Sequence, residues 1–208
     1  MFGLTDKEEK ILKKLSAPGK IQDFLDALPL NHEKEGDTYM SPRRVLREKK
    51  AHCIEGALLA ALALWIRGEK PLLLDLKSQE GDDDHVVALF QRNGYWGAVS
   101  KTNHAVLRYR DPVYKTLREL ALSYFHEYFI NTTGEKTLVS YSQPLDLSRF
   151  GRGWITEEED LWLIADALDT ARHFPLVPKK NRRLLRKATL TERRAGEIIE
   201  WEKENPRT

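Results

Sequence analysis

One cysteine in 208 residues excludes an internal disulfide and points to a reducing compartment. Long apolar runs are missing too. The most apolar stretch, residues 57–66, falls far short of the roughly 20 residues that a membrane-spanning helix needs. The N-terminal MFGLTDKEEKILKK has no apolar core of the signal-peptide kind, so no signal peptide and a cytoplasmic location are expected, with no membrane partner. No internal repeat is visible. Charge of one sign is scarce: 34 Lys and Arg stand against 32 Asp and Glu, and a net charge of +2 gives no argument for a nucleic-acid partner. What remains is 41% hydrophobic and 32% charged, the composition of a globular chain long enough for one sizeable core.

Helix signals open the chain. Thr5 with Glu8 forms a capping-box pattern ahead of Ile11, Leu12 and Leu15. A second helix fits residues 19–28, with Ile21, Phe24, Leu25 and Leu28 on one face. Residues 29–40 read as loop. Ser41-Pro42 is an N-cap with proline in the first turn, and the basic RRVLREKK follows. Then comes AHCIEGALLAALAL, apolar nearly all round, which predicts a central helix covered on several sides and ended by Gly68.

The period then changes. PLLLDL (71–76) and HVVALF (85–90) read as strands, KSQEGDDD as a polar loop between them. Asn93-Gly94 is a two-residue hairpin turn, with 95–102 as the returning strand. A helix is expected after Asp111-Pro112, carrying Leu117, Leu120, Ala121, Tyr124, Phe125 and Tyr128. A further strand is expected at 137–141. Thr156-EEE-Asp160 predicts a capped helix, which Pro175 and Pro178 break. A basic KKNRRLLRK and a terminal helix with Ile198, Ile199 and Trp201 close the chain. Strands lie between blocks of helices, so the fold class is α+β. Residues 1–150 are expected to form the core and 151–208 a helical extension packed on it.

Cys53 stands where the basic segment meets the apolar helix. Free backbone N–H groups and the positive end of the helix dipole favour thiolate there, and can hold an oxyanion. The competing reading is a packing cysteine, since free Cys is among the most buried residue types. A nucleophile needs a base. His85 leads a strand behind an acidic loop. If Arg92 faces Tyr95 across the turn, His85 faces Thr102, and Ser100 is its diagonal neighbour on the same face. Ser100 or Thr102 is therefore the expected partner of His85. His52, adjacent to Cys53 in sequence, is expected to point away from it and into solvent. Glu55 reads either as catalytic or as a first-turn carboxylate that answers the helix dipole. Asp82-Asp83-Asp84 reads as a solvated loop, without a metal-ligand spacing. KKNRRLLRK reads as a solvated face, and nucleic acid as an improbable partner.

The order of AHCIEGALLAALAL, PLLLDL, HVVALF and NGYWGAVS resembles the transglutaminase-like superfamily over about residues 47–100. That resemblance implies a papain-like fold and a Cys–His–Asp triad with Cys on a helix and the others on adjacent strands. It implies acyl transfer or amide and peptide hydrolysis without metal or organic cofactor. Cys53 and His85 match the first two positions. Where the pattern has Asp, this chain has Ser100. A serine can orient imidazole but brings no negative charge. Three readings stay open: Ser100 serves a weaker site, a carboxylate such as Asp84 or Asp111 fills the role, or the site binds a peptide or protein without turnover.

Overall fold

The computed structural model describes residues 2–33 and 36–202, so the expected 29–40 loop and 151–208 extension lie partly outside the described residues. Helices α1 (Asp6–Lys14), α2 (Pro18–Asp26), α3 (Pro42–Glu48) and α4 (Cys53–Ile66) come first. Strands β1 (Leu72–Ser78), β2 (His85–Arg92), β3 (Tyr95–Ser100) and β4 (Arg110–Tyr114) follow, then α5 (Leu117–Tyr124). Strands β5 (Leu138–Ser142) and β6 (Leu145–Asp146), helix α6 (Trp162–Asp169), strand β7 (His173–Pro175) and helix α7 (Leu190–Gly196) complete the described chain. This is the α+β class, with one antiparallel sheet in the order β4-β3-β2-β1-β5-β7 and β6 beside β1.

Local chemistry explains most of these boundaries. The Thr5 hydroxyl accepts from Glu8 N–H while the Glu8 carboxylate accepts from Thr5 N–H, so the capping box at α1 is closed. Ser41 caps α3, with Pro42 in its first turn. Both turn residues of the β2–β3 hairpin take positive φ, +52° at Asn93 and +82° at Gly94, the geometry of a type I′ turn. That turn fixes the register: Arg92 faces Tyr95 and Val87 faces Ser100.

Both faces of the sheet are covered, which is why β2 is buried along six consecutive residues. Leu73, Val86, Ala88, Phe90 and Val99 pack under α4 and its neighbouring helices. Leu74, Leu76, Val87, Leu89 and Ala98 meet Leu120, Ala121 and Tyr124 of α5. Helix α4 is buried continuously from Ile54 to Leu64, the central helix expected from its even apolarity. At Gly56 the chain just past β3 crosses it so closely that a Cβ would sit 2.5 Å from Lys101 Cβ.

Three expected elements differ. The helix expected after Asp111-Pro112 forms as α5, but only from Leu117 to Tyr124, and Asp111-Pro112 itself lies inside strand β4. Its place at the sheet edge lets a residue without an N–H join the strand. No capping box forms at Thr156; α6 starts at Trp162, and the Asp160 carboxylate instead accepts from Tyr39 N–H and from Arg44. Ile198, Ile199 and Trp201 follow α7 outside any helix, tied to residues 103–105 by backbone and amide hydrogen bonds. The segment after residue 150 also gives the sheet its β7 and the core its Ile164 and Leu168.

Candidate active site

A short turn joins α4 to β1, so the two run in opposite directions and the start of α4 lies beside the end of β1. That end of the sheet opens into a cleft of about 970 Å³, lined by Cys53, His52, His85, Asp75, Tyr128 and Asn103 among others. Cys53 is half-buried in the first turn of α4, where the backbone N–H groups have no intrahelical acceptor.

His85 is buried at the start of β2, and its Nε2 lies 2.7 Å from Ser100 Oγ. The single Ser100 hydroxyl proton is already committed: Oγ donates to the Leu107 carbonyl at 2.5 Å. Ser100 therefore accepts from His85 Nε2–H, and the network assigns Nδ1 as the ring nitrogen left for the thiol. Leu107 is held in place in turn. It sits at φ +59°, uncommon for a residue with a side chain, and its N–H donates to Glu127, which Arg110 anchors at 2.6 Å. The Gln22 amide brackets the Ser100 backbone from the other side, accepting from its N–H and donating to its carbonyl. Thr102 Oγ1 accepts from His104 N–H, and among the described residues it makes no hydrogen bond to His85. Asp84 binds Ser78 and Lys77, and Asp111 lies exposed on β4, so the partner of His85 is Ser100 and neither carboxylate.

His52 is where the structure departs most from expectation. Its side chain is 14% exposed, and Nδ1 lies 3.9 Å from Cys53 Sγ. The rule that sequence neighbours diverge applies inside a helix. His52 is the N-cap, with extended φ −99° and ψ −169°, so its ring folds back over the first turn. Nε2 contacts the Thr38 carbonyl at 2.7 Å, and Glu33 and Glu55 oxygens lie 3.4 and 3.5 Å away. Glu55 is fully buried. It accepts from Asn31, Thr38, Met40 N–H and His52 N–H, so the carboxylate is well satisfied inside the protein.

These neighbours set the charges. Burial works against ionised Cys53, but hydrogen bonds and charge from His52 and His85 outweigh it and bring the thiol from 9.0 down to about 5. Burial also opposes the His52 cation, yet Cys53 and Glu55 lift it to about 11. Glu55 resists its own burial through His52 and stays below the usual carboxylate range. The site at neutral pH holds a thiolate beside an imidazolium whose charge Glu55 balances. Among the described residues no cluster of His, Cys, Asp and Glu is placed to hold a metal ion. No described helix is long and apolar enough to cross a membrane.

No protein-family model matches this chain, and no curated protein matches it in sequence.

Proposed function

We propose that the protein is a transglutaminase-like enzyme with a papain-like core, performing thiol-dependent acyl transfer or amide and peptide hydrolysis at Cys53. The observation that carries this reading is that Cys53 and His85 line one cleft, that His52 and His85 together hold the thiol ionised, and that His85 is hydrogen-bonded to the buried Ser100.

In this reading the proton that Cys53 has given up sits on His85 Nδ1, and the thiolate attacks a carbonyl carbon. The C–S bond forms, and the carbonyl electron pair moves to oxygen. Cys53 N–H and His52 Nδ1–H donate to that oxyanion, the charge having moved from sulfur to oxygen beside the same cation. His85 then protonates the leaving nitrogen as the C–N bond breaks, which leaves a thioester. Water or an amine attacks the thioester, His85 takes the incoming proton, and the thiolate departs. Ser100 keeps the His85 tautomer throughout.

The test is the rate of Cys53 alkylation by iodoacetamide against pH. Wild type is expected to react with a midpoint near pH 5. His85→Ala and His52→Gln are each expected to move that midpoint up by more than one unit. A midpoint near the ordinary 8.5 in wild type, indifferent to both changes, overturns the reading. A second reading, a peptide- or protein-binding module without turnover, is favoured by one observation: the His85 partner is a neutral serine. An activated thiol that forms no thioester with any activated ester supports that second reading.

A further inference from the structure

The acyl chemistry leaves the charge of the cleft unused. Nine carboxylates and two lysines line it, in a chain whose overall charge is +2. Lys101 is committed elsewhere, and Lys77 pairs with one of the nine, Asp84, which leaves the carboxylates in excess. Lys101 is fully buried and donates to the carbonyls of Leu25 and Leu28 at the end of α2, and Lys77 Nζ lies 3.5 Å from Asp84. Asp37, Asp83 and Asp169 stand exposed around the rim.

Asp75 adds an independent sign of a missing ligand. It shares with Leu73 the sheet face on which α4 lies, and its side chain is 3% exposed. Oδ2 meets His173 Nε2 at 2.9 Å. His173 Nδ1 donates its proton to the Ala171 carbonyl, so a proton must also lie between Nε2 and Oδ2. Whichever side holds it, Oδ1 remains an acceptor. Oδ1 is buried and has no hydrogen-bond partner among the described residues, although Asp75 lines the cleft. Buried acceptors are nearly always paired, so this one calls for a donor.

We infer that the substrate of the Cys53 site carries a cationic group, an ammonium or a guanidinium, whose N–H donates to Asp75 Oδ1 while the acidic rim holds its charge. The inference rests on the acyl-transfer reading for what the substrate undergoes, but its charge preference can be measured alone.

The lone cysteine serves as reporter. The intact protein is treated with aminoethyl, methyl and sulfonatoethyl methanethiosulfonate: a cation, a neutral reagent and an anion. Each rate is divided by that reagent's rate with free 2-mercaptoethanol. The normalised cation-to-anion ratio is expected to be about tenfold or more at low salt, and to shrink several-fold in about 0.5 M NaCl. His52 and His85 pull the other way, toward anions, so a cation preference has to come from the carboxylates. The ratio is expected to fall about threefold or more in Asp75→Asn and in the triple change Asp37→Asn, Asp83→Asn, Asp169→Asn. The exposed triple variant carries the test if Asp75→Asn does not fold. A wild-type ratio at or below one, or a ratio unmoved by the variants that fold, overturns the inference. The neutral reagent separates the two failures: an ordinary thiol pH profile sinks the acyl chemistry and leaves the charge ratio standing.

Discussion

Cys53 binds its proton less tightly in the folded chain than in the unfolded one, about 5 against 9.0. Between those values the unfolded chain carries a proton that the native thiolate does not, so stability rises with pH there. The contribution is full above pH 9 and is lost as pH falls through 5. The margin by which wild type exceeds Cys53→Ser in unfolding free energy, read from urea titrations, should therefore widen from pH 5 upward, by about 1–3 kcal/mol. Ser100→Ala removes the acceptor of His85 Nε2–H and the donor to the Leu107 carbonyl in one step. A loss of about 1–3 kcal/mol is expected in chemical denaturation, because both partners are left without their bond. Glu55→Gln brings an amide against donors that all seek an acceptor, and strands the His52 cation. A loss of about 3–5 kcal/mol is expected, with the Cys53 alkylation midpoint shifted up from about 5. Ser100 was legible as the neighbour of His85 because Asn93-Gly94 fixes the register and strand faces alternate. His52 was not: the helix rule fails one residue outside the helix, where backbone dihedrals decide. The signal that was present is Glu55, three residues on, the partner a capped helix start would use.

At the scale of elements, legibility followed how strongly each one is specified locally. Helices α1 and α3 carry their own caps, α4 its continuous apolar surface, and the β2–β3 hairpin its turn. Strand β4 has no such signature, since an edge strand with polar residues and Pro112 pairs only because β3 offers its free side. The expected helix at Thr156 had a capping pattern, yet Asp160 is drawn away by Arg44 and Tyr39, more than 115 residues distant along the chain, information no local window contains. Packing of α4 against the chain leaving β3 gives a prediction at this scale. Ala is favoured over Gly inside a helix by about 1 kcal/mol. Gly56→Ala should nevertheless destabilise by about 1–3 kcal/mol, since its Cβ would lie 2.5 Å from the Cβ of buried Lys101 and no flexible chain end can yield there. Lys101 also ties off the end of α2, so the displacement reaches the Gln22 clamp on Ser100. Thermal melting reads the first effect, and the Cys53 alkylation profile reads the second.

Over the whole molecule, composition predicted a single core, while the division at residue 150 has a physical consequence that can be measured. Trp154, Ile155, Ile164 and Leu168 are buried in the cluster around α4, and Leu176 and Val177 in the cluster beneath α5. Strand β7 covers the edge of β5, and His173 from that strand is the only partner of the buried Asp75 carboxylate among the described residues. A chain cut after residue 150 would thus expose apolar surface on both faces of the sheet, uncover the edge of β5, and leave a buried carboxylate without a donor. Both core layers lose members, so the loss cannot be confined to one end. The prediction is that residues 1–150 alone show no cooperative thermal transition and bind a hydrophobic dye strongly. The full chain is expected to melt in one step with little dye binding. Two-step melting of the full chain, or a cooperative melt of the fragment, would show that the segment after 150 folds as an attachment to a core complete without it.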